Sequence, residues 1–181
     1  MKTANVITLI RIALVPVFMA VYLLKIPYYE IIALAIFILA SATDKLDGYI
    51  ARKYNQISSF GKFVDPLADK LLVSAALIIL VGEGVIPSWA VILILAREFI
   101  VTSLRTVAVS AGRIIAANNW GKAKMVIQVV AISFLLTSLR NITLGSVTVG
   151  DIMVWLMTVV TVWSGIDYIV INKDIILQQG K

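Results

Sequence analysis

Apolar residues gather along the chain in six long runs, at 6–24, 31–50, 63–81, 86–109, 117–139 and 147–171, with polar residues concentrated between them. Each run has about the length needed to cross a hydrocarbon core of roughly 30 Å. Strong alternation of polar and apolar residues is absent, and a backbone in lipid must satisfy its own hydrogen bonds. Both points select helices over a barrel. The pattern predicts an all-α fold, an integral membrane bundle of six transmembrane helices. Connections are short and carry turn signals at "GEGVIPS" and "NITLGSVTVG". With no internal repeat or low-complexity tract, residues 1–181 read as one domain. Arg11 and Pro16 interrupt the first run and no small-residue cleavage site follows, so it reads as a retained helix and not a signal peptide.

Composition strengthens the membrane reading. Of 181 residues, 61% are hydrophobic and 14% charged, against about 45–50% and 25% in a soluble domain. Cysteine and histidine are both absent. That removes disulfides, zinc–thiolate sites, catalytic cysteines and any histidine base, leaving carboxylates, lysines or tyrosines for acid–base work. The net charge of +6 suits anionic headgroups or a polyanionic substrate. Nucleic acid is disfavoured because the basic residues are dispersed between apolar runs. With the N-terminus inside, Lys2, Arg52, Lys53, Lys62, Arg113, Lys122, Lys124, Lys173 and Lys181 fall on the cytoplasmic side, and Lys25 and Arg140 outside. This asymmetry predicts a multi-pass protein of the cytoplasmic (inner) membrane with both termini in the cytoplasm.

The stretch "DKLDGYIARKYNQISSFGKFVDPLADK", residues 44–70, breaks the apolar pattern. Asp44 and Asp47 are three residues apart and Asp65 and Asp69 four, so on helices each pair shares a face. Two antiparallel helices joined by a short basic loop bring all four carboxylates to one depth at the cytoplasmic edge. Such carboxylates repel one another unless something positive lies between them, and hard divalent cations with oxygen ligands fit that role. Mg²⁺ prefers a few carboxylates plus phosphate oxygens, and paired ions clamp an in-line displacement at phosphorus. Gly48, Ala51 and Gly61 remove bulk from the acidic faces, opening a groove for a diphosphate or nucleotide. Arg52 at its edge offers a planar fork to phosphate. Solvated helix ends and an ion path through the bilayer are the competing explanations. A transporter more often places such carboxylates at the midplane on broken helices.

The spacing Asp44-x2-Asp47-Gly48-x2-Ala51-Arg52-x8-Gly61-x3-Asp65-x3-Asp69 resembles, without gap or substitution, the pattern of the CDP-alcohol phosphotransferase family. The resemblance implies a six-helix membrane enzyme, usually a homodimer, that transfers a phosphatidyl or similar group from a CDP-linked donor to an alcohol and releases CMP. It implies that Asp44, Asp47, Asp65 and Asp69 hold two divalent ions, Mg²⁺ or Mn²⁺. It gives Asp69 the further role of catalytic base, taking the proton of the attacking hydroxyl. Gly48, Ala51, Arg52 and Gly61 are implied to line the CDP pocket. Elsewhere "TANVITLIRIALVP", "AREFIVTSLR" and "NNWGKAKM" are similar to the bacterial phosphatidylglycerophosphate synthases of that family. Ala4 stands where proline often precedes the asparagine, and Met125 where threonine often follows the lysine. This subgroup implies CDP-diacylglycerol as donor and glycerol 3-phosphate as acceptor. Another acceptor, such as inositol phosphate or serine, and a divalent-cation transporter are the alternatives.

Charges outside the motif point to a phosphorylated acceptor. Arg97 and Arg105 lie inside the fourth run, where an unpaired charge costs about 2.5–3.5 kcal/mol, and Glu98 does not obviously satisfy both. Arg97, Arg105, Arg113 and Lys122, converging, make a pocket for a dianionic phosphate. Arg113 and Lys124 serve equally well as interfacial anchors. Asn5, placed at the CDP site, and Arg11 on the first helix reach a substrate phosphate or the cytidine, with a structural salt bridge as the competing role for Arg11. Trp89, Trp155, Trp163, Tyr28, Tyr29 and Tyr168 read as interfacial belt residues. Pro66 is expected to bend the third helix.

Overall fold

The computed structural model describes the backbone of residues 3–53, 59–110 and 119–173, and the side chains of 8–43, 67–68, 70–109 and 119–173. Six α-helices account for nearly all of it: α1 Thr3–Leu23, α2 Tyr29–Lys53, α3 Ser59–Gly82, α4 Ser88–Ser110, α5 Asn119–Leu135 and α6 Val149–Ile171. Each predicted run has its helix. Helices α2 and α3 extend past their predicted runs into the acidic stretch, to Lys53 and from Ser59, and two later segments also differ from the sequence reading. The fifth helix stops at Leu135 and gives way to a 3-10 turn, Ser138–Asn141. Arg140 Nη1 donates to the carbonyls of Leu135 (3.0 Å) and Thr137 (3.3 Å), which satisfies acceptors left open at the end of α5. The segment read as a plain loop contains a small antiparallel hairpin, β1 Thr143–Leu144 with β2 Val147–Thr148. Gly145, at φ +70°, supplies the left-handed first turn position that two-residue hairpins favour. Thr148 then caps α6 in a reciprocal box with Asp151.

Helix α1 packs against both α2 and α3, while α6 packs against both α4 and α5. The α1–α2 seam interdigitates large and small side chains. Val15, Phe18 and Tyr22 of α1 share one face, and Ala33, Phe37 and Ala40 of α2 share another; all are buried. The Phe18–Phe37 and Tyr22–Tyr29 ring contacts, at 6.2 and 5.3 Å between centroids, fix the pair. The buried face of α6 is made of small and polar residues instead, among them Gly150, Thr158, Thr161, Ser164 and Gly165, the composition that lets helices approach closely in lipid. The two groups of helices meet through α2–α5, α3–α4 and α3–α5 contacts.

The core is mainly apolar, but the described residues also bury several polar groups and expose many large apolar ones. Arg11, Lys124, Gln128, Thr161 and Ser164 are buried, while Leu24, Ile31, Leu39, Ile92, Phe99, Trp155 and Val159 are exposed. Among the described residues, α6 is the one helix long and apolar enough to cross a membrane by itself; the apolar stretches Thr8–Leu23, Tyr29–Thr43 and Lys70–Gly82 are shorter. Lys25 and Arg140, expected on one side, lie at one end of the bundle. There Lys25 pairs with Glu83 (2.9 Å), and Glu30 accepts from Ser138 N (2.8 Å) and Oγ (2.6 Å) beside Arg140.

Candidate functional site

Helix α2 carries Asp44, Asp47, Gly48, Ala51 and Arg52 in its last turns, and α3 carries Gly61, Asp65 and Asp69 in its first. The two helices pack against each other. Asp44 stands nine residues before the end of α2, and Asp69 ten residues into α3. At 1.5 Å per residue both are about 14–15 Å from those helix ends, and Asp47 and Asp65, six residues from them, about 9 Å, so the two helices carry their acidic positions at matching distances from their ends. The side chains of these residues, with that of Asn5 and the whole of Arg113, lie outside the described residues; so does the side chain of Pro66, although α3 runs through it as one helix.

Beside these turns the helices enclose a polar cavity of about 40 Å³, room for roughly two or three waters. Five helices reach it, through Arg11 of α1, Ser41 of α2, Lys70 of α3, Glu98 of α4, and Lys124 and Gln128 of α5. Lys70 directly follows Asp69, and Ser41 precedes Asp44 by three residues, so the cavity borders the acidic turns. Glu98 accepts from Lys124 and, at 3.1 Å, from Arg97. Lys70 donates to Thr102, whose hydroxyl is itself oriented by the Glu98 carbonyl at 2.7 Å. Among the buried polar atoms on the cavity wall, Ser41 Oγ and Gln128 Nε2 have no hydrogen-bond partner among the described residues. On the outer side, an apolar groove of about 260 Å³ runs between α2 and α5 past Ile38, Ala42, Val126 and Val130. It shares Ser41, Met125 and Val129 with the cavity.

The proposed acceptor residues do not form one cluster among the described residues. Arg97 is turned onto α6, where it donates to Ser164 Oγ at 2.7 Å and lies across Gly165. Arg105 stands eight residues further along α4, about 12 Å away along the axis, exposed and over the ring of Tyr168 at 5.7 Å. Lys122 is exposed. Two readings need correction. Lys124, treated as an interfacial anchor, is buried and ion-paired with Glu98. Tyr168, treated as a belt residue, is 2% exposed and belongs to the interior; stacking under Arg105 offsets its burial. Trp89, Trp155 and Trp163 are exposed as a belt requires, with Trp89 against Trp155 and Trp120 against Trp163. Arg11, left between two roles, is buried at the cavity wall. The sequence reading missed Lys70, Ser41 and Gln128. Its available signal was the four-residue step from Lys124 to Gln128 to Ile132, one polar-then-apolar row of the kind that lines an interior.

Comparison with known proteins adds an independent line. The family model described as CDP-alcohol phosphatidyltransferase matches residues 1–163. The chain is 47% identical to the CDP-diacylglycerol–glycerol-3-phosphate 3-phosphatidyltransferase of Bacillus subtilis, over 91% of each chain. It is 39% identical to a probable phosphatidylglycerophosphate synthase of Mycobacterium tuberculosis, over 92% of this chain and 79% of the relative. Against the Haemophilus influenzae CDP-diacylglycerol–glycerol-3-phosphate 3-phosphatidyltransferase identity is 35%, over 94% and 93%.

Proposed function

The chain belongs to the CDP-alcohol phosphatidyltransferase family, and from that premise we infer that it transfers the phosphatidyl group of CDP-diacylglycerol to glycerol 3-phosphate. CMP is released and phosphatidylglycerol phosphate is formed, a step of phospholipid biosynthesis. One observation carries this reading. A polar cavity and an apolar groove share a wall within one turn of the acidic positions. A donor with a charged headgroup and acyl chains needs both environments side by side, and an acceptor insoluble in lipid needs the polar one.

The donor set fits divalent cations: four aspartates on two helices that contact each other, with hard oxygen ligands and no soft ones. Asp44, Asp47, Asp65 and Asp69 would hold them, two Mg²⁺ or Mn²⁺ ions in all. When bound, they supply charge neutralisation at the diphosphate and at departing CMP. Gly48, Ala51 and Gly61 leave room for the nucleotide to approach the backbone, Arg52 offers its fork to phosphate, and Asn5 adds a polar contact. The Asp69 carboxylate takes the proton from the primary hydroxyl of the acceptor as that oxygen attacks the lipid-bearing phosphorus. A carboxylate is a weak base, so alignment of the hydroxyl contributes more than basicity. Arg105, Arg113 and Lys122 attract the acceptor phosphate from the cytoplasm. Arg97 belongs to this group only if it leaves Glu98 and Ser164. The acyl chains lie along the α2–α5 groove. The same reading carries six membrane crossings, with the site and both termini on the cytoplasmic side of the inner membrane, and a homodimer.

The test is CMP release from CDP-diacylglycerol by purified enzyme offered glycerol 3-phosphate, inositol phosphate or serine. Release with glycerol 3-phosphate alone, abolished in Asp47→Asn, is the expected result. Release with another acceptor alone moves the chain to a different branch of the family. Full activity in Asp47→Asn removes the metal role.

A further inference from the structure

Gln128 is 3% exposed, and its Nε2 has no hydrogen-bond partner among the described residues. A buried amide left in that state costs about 1–3 kcal/mol, so a native protein keeps one where something else completes it. Across the same cavity Ser41 Oγ is in the same condition. The two groups stand on α5 and α2, the helices that also wall the apolar groove. Gln128 shares the cavity wall with Ser41 and Lys70, which stand three residues from Asp44 and one from Asp69 in the chain. Of the charged groups on the wall, Lys124 is engaged with Glu98 and Lys70 with Thr102, and Arg11 reaches it from α1. Beside them, Gln128 and Ser41 offer a newcomer neutral hydrogen bonding.

We propose that Gln128, assisted by Ser41, is a specificity-determining residue that binds the secondary (C2) hydroxyl of the glycerol 3-phosphate acceptor. This rests on the reading of the chain as a glycerol 3-phosphate enzyme. A hydroxyl both donates and accepts, so it pairs with either end of the amide and with the serine. Holding it fixes the glycerol backbone about its middle carbon and aims the terminal hydroxyl at the acidic turns. A site built to hydrogen-bond a hydroxyl rejects the analogue lacking it, because its polar groups are then left buried and unpaired.

The experiment compares glycerol 3-phosphate with 3-hydroxypropyl phosphate, which lacks the C2 hydroxyl, in wild type, Gln128→Met and Ser41→Ala. Wild type is expected to favour glycerol 3-phosphate by roughly tenfold or more in kcat/KM. Gln128→Met should lose most of that preference through glycerol 3-phosphate alone, keep its KM for CDP-diacylglycerol, and melt no lower than wild type, since an unpaired buried amide becomes apolar. Ser41→Ala should lose part of the preference. An equal fall with both acceptors, or a lowered melting temperature with the preference retained, assigns Gln128 to an internal water or to packing and overturns the proposal. If wild type uses neither acceptor, the functional reading has failed; if it uses glycerol 3-phosphate with the preference intact in Gln128→Met, only this inference has.

Discussion

Glu98 holds two cations in the interior, Lys124 from α5 and Arg97 from its own helix. Its side chain is 18% exposed, and those of Lys124 and Arg97 are 8% and 11%, so solvent screens the trio little. Removing one member of a buried ion pair costs about 3–5 kcal/mol, because the remaining charge is stranded. Glu98→Gln should therefore lower the melting temperature of the detergent-purified protein markedly, and adding Lys124→Met should restore part of the loss. If Glu98→Gln melts like wild type, the trio is not structural. The sequence already showed charges inside the fourth helix and a partner for one arginine. It did not show that the partner's second cation comes from Lys124. Lys122 and Lys124 lie on opposite sides of a helix, and only the packing of α5 decides which of them turns inward.

The α4–α6 contact depends on a missing side chain. A Cβ on Gly165 would come within 2.8 Å of Arg97 Cγ, an atom too near the α4 backbone to swing aside. Gly165→Ala should destabilise by about 1–3 kcal/mol through overpacking. Gly82→Ala, at the end of α3 with open space around it, should be neutral or gain up to about 1 kcal/mol. Thermal unfolding of the two variants side by side checks the contrast, and equal losses would show that Arg97 yields freely. Helix number and approximate positions were legible because apolar runs are long. The early end of α5 and the hairpin before α6 were not. Both depend on Arg140 reaching back to α5 carbonyls and on Glu30 of α2 taking Ser138. These contacts join residues up to 108 positions apart, and no local pattern announces them.

At the scale of the molecule, the described residues keep an apolar core yet also expose many large apolar side chains and bury Arg11, Lys124 and Gln128, a distribution suited to lipid as solvent. The helices that carry the acidic motif were legible, since fixed spacing puts each aspartate pair on one helical face without tertiary information. The cavity beside it was invisible from sequence, because its wall is assembled from residues of five different helices. The account depends on cations joining carboxylates of α2 and α3 around a diphosphate. The direct measurement is anomalous scattering at the manganese edge from crystals grown with Mn²⁺ and CDP-diacylglycerol. Two peaks among Asp44, Asp47, Asp65 and Asp69, in contact with the diphosphate, are expected. Nucleotide density without manganese there, or manganese bound elsewhere, would contradict it.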